Sequence, residues 1–558
     1  MAQVIVPASV EGPVLVCTEG LSVWGGVDPE TGVIIDALHP QHGASLAGHV
    51  VMMPTSRGSC TGSGVLLGLA FAGTAPRALI FREGEDILTL GALVAGRLFG
   101  HDIAVLRLEA AEYDALAHEN TAEITASHLK AGALELPLHA VAGALALSPE
   151  DRAFLDGAHG SAARLAMEVI TTMARAQGAP RLMDVTRVHI DGCIFASPAF
   201  LTFARAMAGR GGRVRVPTTM NAISVDHANW RRQGVAERYG AAAAALADAY
   251  VEMGAKPSFT CAPYLLADRP AQGEDIAWAE SNAVIYANSV LGARTVKHAD
   301  FMDLCIALTG RTAQAGVYLP AHRAPRRIVD VVMPEGADDA FWPMLGWLLG
   351  QAAPDRIPLL RGLETAQPTE DDLKALCAAF GTTSAAPMLH IAGHTPEADL
   401  PPAPGADHVT LTSADFARLW GIFNRGAGTV ELIALGSPHF SGAECAAFAR
   451  LVEGATPAPG LSTIVTLGRA TLSEISQNGV RATLEAAGVR IIPDLCWCSI
   501  SEPVFPPQTK VLMTNSGKYA HYAPGLSQRA VRFGSLADCA RTLRTGLAPA
   551  APPKWITA

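Results

Sequence analysis

Two cysteines one residue apart, Cys496 and Cys498, precede a short apolar run, Lys510–Met513, and then a polar cluster of Thr514, Asn515, Ser516, Gly517, Lys518, Tyr519, His521 and Tyr522. The apolar run reads as a buried strand. A strand that ends in amide, hydroxyl, glycine and lysine is how open α/β sheets build anion sites at their carboxyl edge. Thiolates beside such a site point to a metal or cluster facing a carboxylate substrate. In an extended segment Cys496 and Cys498 point to the same side. A bend at Trp497 separates them, so one of the pair, Cys496, is expected to be a ligand. Cys261 and Cys305 are further candidate thiolates. No paired CxxC pattern exists, which argues against a structural zinc knuckle.

Other polar loops follow apolar runs. They are His189-Ile190-Asp191-Gly192-Cys193, Pro217-Thr218-Thr219-Met220-Asn221 and Cys261-Ala262-Pro263-Tyr264, with a polar helix and its exit from Trp278-Ala279-Glu280-Ser281-Asn282 to Arg294-Thr295. Singly each is ordinary, because a buried Asn or Thr usually bridges backbone. Arg294 and Lys518 are cations in apolar surroundings, which favours anion binding. Near the N-terminus, the loop Pro54–Gly64 contains Arg57-Gly58-Ser59-Cys60-Thr61-Gly62 and precedes an apolar helix, Val65–Phe71. Its N–H groups can hold an anion, and Ser59 is either a helix cap or a reactive hydroxyl. Dinucleotide, P-loop and zinc-peptidase fingerprints do not occur.

These loops need elements to position them. The 558 residues predict several domains. Residues 1–140 form a β-rich small domain, with short strands at Val14–Cys17, Gly32–Ala37, His49–Met53, Ala78–Ile80 and Ile103–Leu106 between Gly, Pro and Asp clusters. From residue 145 to 558, apolar runs alternate with helical patterns, which predicts α/β layers with largely parallel sheets in two or three subdomains. Ser148-Pro149-Glu150 is a helix start, and 395–408, with Pro401, Pro402 and Pro404, a surface loop. The net charge of −10 argues against a nucleic-acid partner. No apolar run is long enough to span a bilayer, and the start lacks signal-peptide character, so a cytoplasmic chain with no membrane partner is expected. Ten scattered cysteines do not read as a disulfide framework.

In order along the chain, Trp24-Gly25-Gly26-Val27-Asp28-Pro29, Thr31-Gly32, His39-Pro40, Gly58-Ser59, Pro217–Asn221, Cys261–Tyr264, Trp278–Thr295 and Thr514–Pro524 resemble aconitase X, an outlying branch of the aconitase superfamily. The resemblance covers essentially the whole chain. It implies a multi-domain aconitase-like α/β catalytic part and a β-rich swivel domain. The chain is fused, swivel first, like the branch that dehydrates cis-3-hydroxy-L-proline, so no obligatory second subunit is expected. The resemblance implies an iron–sulfur cluster, [2Fe–2S] in this branch. Two of the family's three cysteine motifs match at Cys261 and Cys496. The middle one reads Gly436-Ser437-Pro438-His439, with serine in place of cysteine. Cys305 is the substitute for the third ligand, with Cys498 in reserve.

The resemblance also implies that Ser59 is the base that removes the substrate's Cα proton, with Lys518 completing the catalytic pair. Asn515, Ser516 and Lys518 are assigned to the carboxylate, Arg294 to anion binding, and His189, Thr218, Thr219 and Asn221 to substrate or cluster surroundings. The expected reaction is anti elimination of water, giving Δ1-pyrroline-2-carboxylate. Rival readings are a phosphorylated substrate such as mevalonate 5-phosphate, which calls for more basic residues, an isomerase that rehydrates its intermediate, and a non-catalytic iron or redox sensor.

Overall fold

The computed structural model describes residues 2–36, 39–57, 59–141 and 143–557. Gly58 of the serine loop and Ala37, the end of the expected strand 32–37, lie outside them. In the N-terminal part, four parallel strands, Val10–Val16, Val50–Met53, Ala78–Phe81 and Ala104–Arg107, pair in chain order. An antiparallel meander, Thr121–Ile124, His128–Ala131 and Leu134–Pro137, extends one edge. Gln3–Val6 and His139–Ala140 extend the other, completing nine strands. Val50–Met53 and Ala78–Phe81 are buried at every position, as strands covered on both faces must be. Val51, Met53, Leu79 and Phe81 face one core, and Val50, Met52, Ala78 and Ile80 face the other. Residues 32–36 make only isolated bridges, through Val33 and Ile34. Two apolar helices, Gly62–Ala72 and Ile87–Phe99, cover one face.

The remainder carries parallel sheets, as the alternation of apolar runs and helices predicts. Val188–Ile190 pairs with Thr218–Met220 and Ala277–Trp278. Arg327–Val331 lies between Pro358–Arg361 and Asp407–Leu411, with His390–Ile391 beyond. The five-stranded sheet runs Val489–Pro493, Ser462–Leu467, Leu432–Leu435, Val511–Thr514, Ala530–Phe533, all parallel. The helix Pro149–Leu155 starts with a Ser148–Asp151 capping box and proline in its first turn, which satisfies the orphan N–H groups there. Among the described residues no helix is long and apolar enough to cross a membrane.

One apolar cluster runs through both parts, from Leu66 and Leu69 of the serine-loop helix to Phe200, Phe203 and Phe301. The fit is close. A methyl added at Gly64 would lie 2.0 Å from Phe200 Cζ, and Phe200 is itself fully buried and tilted onto Phe301 at 5.4 Å. Gly64→Ala is therefore expected to lower stability by about 1–3 kcal/mol through overpacking, measured as a drop in melting temperature. An unchanged melt would contradict this docking.

Candidate active site

The polar loops of the candidate site are carboxyl-terminal extensions of parallel strands. Asp191 follows Val188–Ile190, Asn221 follows Thr218–Met220, Glu280 follows Ala277–Trp278, Cys496 follows Val489–Pro493, and Ser516 and Lys518 follow Val511–Thr514. Two of the sheets meet here, because Ile223 bridges to Leu495 and its N–H donates to Asp494 O at 2.7 Å. Ser516 caps the helix Gly517–Ser527 by accepting from Tyr519 N–H at 3.0 Å. Ser516 Oγ donates in turn to Ser437 O. The helix start packs so tightly that a Cβ at Gly517 would lie 2.8 Å from Pro343 O, so glycine is required for that approach.

A cleft of about 560 Å³ opens where these ends converge with the swivel part. Ser59 and Thr61 line it from the swivel side, with Trp24. Asp191, Glu280, Cys496, Cys498, Lys518 and Tyr522 line it from the catalytic side. Lys518 Nζ donates to Glu280 Oε1 at 2.6 Å, and both residues are buried. Asn282 Nδ2 also donates to Glu280 Oε1, at 2.5 Å, and to Cys261 O at 3.0 Å. Asn221 Nδ2 donates to Glu280 Oε2 at 3.2 Å and also to Asp191 Oδ1. Burial alone would raise the Glu280 pKa, but the adjacent ammonium outweighs it and holds the carboxyl below its usual range. Burial likewise opposes charge on Lys518, and Glu280 with the nearby thiols reverses the balance, holding the ammonium well above its usual pKa. Asp191 is pushed well up by burial and by Glu280, so it favours the protonated acid.

Three thiols sit together against Ala222: Cys261, Cys496 and Cys498. Cys261 and Cys498 both hydrogen-bond to Cys496, which those contacts hold well below the usual thiol pKa, with Lys518 adding to the effect. Burial raises Cys261, and the contact with Cys496 raises Cys498. Cys496 is thus the thiolate of the group. Backbone N–H groups also point at sulfur, from Cys498 to Cys496 Sγ at 3.4 Å and from His439 to Cys261 Sγ at 3.3 Å. Among the described residues no three His, Cys, Asp or Glu side chains are arranged to hold a single metal ion. The donor set nevertheless suits an iron–sulfur group, since soft thiolates in a low-dielectric pocket with N–H···S bonds are what such clusters use.

Several sequence expectations change. The chain does turn at Trp497, whose indole donates to Leu435 O at 2.7 Å. The turn folds Cys498 back onto Cys496 rather than separating the two. Cys305 does not join them. It lies in the helix Met302–Thr309, within the main apolar core, where burial pushes its thiol up. Arg294 does not reach the cleft either, because its backbone bridges to Asp275 and its charge acts on that carboxylate. His189 is fully buried, with Nδ1 2.8 Å from Thr219 Oγ1, and burial pushes it down to about 4. Thr218 Oγ1 donates to Val216 O at 2.8 Å. These three brace the strand ends and do not line the cleft, nor do Asn515 and Ser516. Asn221 acts one step back, on Glu280 and Asp191. Sequence reasoning did not select Glu280, Asp191, Thr61, Trp24 or Tyr522. An acid in a polar segment just beyond an apolar run was the available signal for the first two.

The comparisons follow this geometry. The sequence matches the aconitase X swivel domain over residues 1–134 and the first, second and third aconitase X domains over 144–321, 325–421 and 430–545. The chain belongs to the aconitase X family. A cis-3-hydroxy-L-proline dehydratase of Pseudomonas aeruginosa is 48% identical, covering 99% of this chain and 98% of that one. One from Hypocrea jecorina is 45% identical over 95% and 92%. The crystal structure of Thermococcus kodakaraensis aconitase X in its holo-form superposes with a TM-score of 0.66 at 27% identity, covering 73% of this chain and all of that one. The aconitase X swivel and catalytic parts thus occur here in one polypeptide.

Breaking the central ion pair tests its weight. Glu280→Gln strands a buried ammonium and is expected to destabilise the protein by about 3–5 kcal/mol, read by denaturant unfolding. A loss below about 1 kcal/mol would mean that the pair behaves as an exposed one.

Proposed function

We propose that this protein is a hydro-lyase that dehydrates cis-3-hydroxy-L-proline. The observation that carries the reading is the cleft itself: a serine from the swivel part faces a paired cation and anion beside three thiols. Near-full-length similarity to two cis-3-hydroxy-L-proline dehydratases supports the substrate. The substrate is a zwitterion. Its carboxylate suits Lys518, and its ring ammonium suits Glu280. A phosphorylated substrate would need more positive charge, and Lys518 is the one cation among the described residues lining the cleft.

In the cis isomer the hydroxyl and carboxylate share a ring face, so the Cα hydrogen lies opposite the leaving group and elimination is anti. Ser59 reaches the cleft from one side and the thiols from the other, which suits that geometry. Ser59 removes the Cα proton. Lys518 holds the carboxylate, whose negative charge grows as the proton leaves. Asp191, held protonated by its surroundings, is placed to donate a hydrogen bond within the cleft. Cys261, Cys496 and Cys498 would hold an iron–sulfur cluster, read as [2Fe–2S], that supplies a Lewis acid for the departing hydroxide. Loss of water leaves an enamine that tautomerises to Δ1-pyrroline-2-carboxylate.

The direct test is an NMR time course of the iron-replete protein with the cis and trans isomers. Conversion of the cis isomer alone is expected, with Ser59→Ala slower by about 100-fold or more at unchanged cluster absorbance. No conversion by the wild type would overturn the substrate assignment, and normal turnover in Ser59→Ala would overturn the base. For the ligands, Cys261→Ala, Cys496→Ala and Cys498→Ala are each expected to lose iron and visible absorbance, whereas Cys305→Ala keeps both. Retained iron in Cys498→Ala would remove it from the set.

A further inference from the structure

Asp300 is a buried acid that the chemistry above does not use. It is fully buried, and neither carboxylate oxygen makes a full hydrogen bond to the described residues. Other buried acids nearby are well supplied. Asp303 accepts from the N–H groups of Asp191 at 2.7 Å, Gly192 at 3.1 Å and Leu304 at 2.7 Å. A buried carboxylate without donors is unfavourable, and its presence calls for an explanation.

Its position supplies one. Asp300 lies directly beneath the serine loop. Its N–H donates to Cys60 O at 3.4 Å, and its carbonyl accepts from Ser63 Oγ at 3.1 Å. The hydroxyl that faces its carboxylate is Thr61's. Thr61 Oγ1 in turn accepts from Ser59 Oγ at 3.0 Å, and Thr61 N–H donates back to Ser59 Oγ at 3.3 Å. The next residue, Phe301, has a left-handed φ of +80°, an unfavourable conformation for a bulky residue. Its ring is fixed 4.2 Å from that of Phe203. Such strain persists only where packing enforces it, and it concentrates at functional sites. Here it lies next in the chain to Asp300.

We propose that Asp300 is the proton acceptor behind Ser59, reached through the Thr61 hydroxyl. The inference rests on the reading of Ser59 as the base. As Ser59 Oγ takes the Cα proton, its own hydroxyl proton passes to Thr61 Oγ1, and the Thr61 proton passes to the Asp300 carboxylate. The electron pair of the broken C–H bond forms the ring double bond and expels hydroxide. After product release Asp300 returns the proton, which neutralises the hydroxide to water. Thr61 and Asp300 act through Ser59 and are positioning residues. A serine alone is a weak base, and an adjacent proton acceptor is the usual means of activating one. The acids Asp191, Asp303 and Glu280 face Asp300, as do Cys60, Cys193 and Tyr250 from the surrounding elements, while Lys297 on the same loop acts on Cys60. Burial among them raises the Asp300 pKa well above the ordinary carboxylate range, so the relay runs in the enzyme whose Asp300 is ionised, and that share grows with pH.

The test is steady-state dehydration of cis-3-hydroxy-L-proline by the iron-replete full chain. Asp300→Asn and Thr61→Val are each expected to lower kcat by about 100-fold with KM nearly unchanged. The double variant should be no slower than the slower single, because both changes break one path. Thr61→Ser, which keeps a hydroxyl, should recover turnover about ten-fold over Thr61→Val. Wild-type kcat should rise with pH through the Asp300 ionisation, a limb absent from Asp300→Asn. Multiplying losses in the double variant, equal damage from Thr61→Ser and Thr61→Val, or normal kcat in Asp300→Asn would overturn the relay. If Asp300→Asn does not fold, the Thr61 pair decides the matter alone. An inactive wild type would overturn the substrate reading, whereas an active wild type with undisturbed variants overturns only the relay.

Discussion

The Lys518–Glu280 pair is the interaction on which the site depends. A lysine ammonium this deeply buried is tolerated only with a partner at contact distance, and Glu280 at 2.6 Å provides it. The carboxylate is shared with Asn221 and Asn282, so a single ionic contact fixes the side chains of three loops. The cation's field also reaches the thiols and favours charge on Cys496. That field acts on all three sulfurs, and the contacts that Cys261 and Cys498 make with Cys496 single it out among them. The same pair presents separated charges of both signs to the cleft, and that pattern matches an amino acid better than a simple anion.

The backbone makes this possible because strands of two parallel sheets end at the same place. Each strand contributes one or two polar residues where its hydrogen-bond ladder stops. The Ile223–Leu495 bridge joins the two sets. Burial then follows from packing. The start of the helix Gly517–Ser527 is pressed against Pro343, and Lys518 in its first turn is buried and lines the cleft.

Local sequence carried much of this and could not carry the rest. The parallel α/β layers were legible because apolar runs alternate with helical patterns. Lys518, Cys261, Cys496 and Ser59 were legible because each sits in a polar loop just beyond an apolar run; Lys518, Cys496 and Ser59 line the cleft, and Cys261 packs behind it with Cys496. Glu280 was not, because its role comes from a lysine 238 positions away. Cys305 was preferred to Cys498 because spacing says nothing about the turn that the Trp497 indole anchors. Arg294 read as an anion receptor for want of a visible partner, and the fold supplies one in Asp275. The swivel sheet was legible as β-rich, but the pairing of 121–137 as an added meander depends on contacts no local pattern states.

The least legible feature is the division of the reacting groups between domains. Ser59 and Thr61 belong to the swivel part. Asp300, Lys518 and the thiols belong to the catalytic part. Among the described residues, the polar contacts that join the two parts include Ser63 Oγ to Asp300 O, Cys60 Sγ to Ala279 O, Asp300 N to Cys60 O, Gln177 Nε2 to Asp86 Oδ2 and the Arg97–Glu168 pair. Such bonds contribute only about 1 kcal/mol each. The register comes from apolar packing, in which Phe200 fills the space that Gly64 leaves open and lies against Phe301. Phe301 is also the chain neighbour of Asp300, with a left-handed φ of +80°. The aromatic contact that docks the part carrying Ser59 therefore packs on the residue next to Asp300, so the approach of Ser59, Thr61 and Asp300 depends on the same close fit that holds the two parts together.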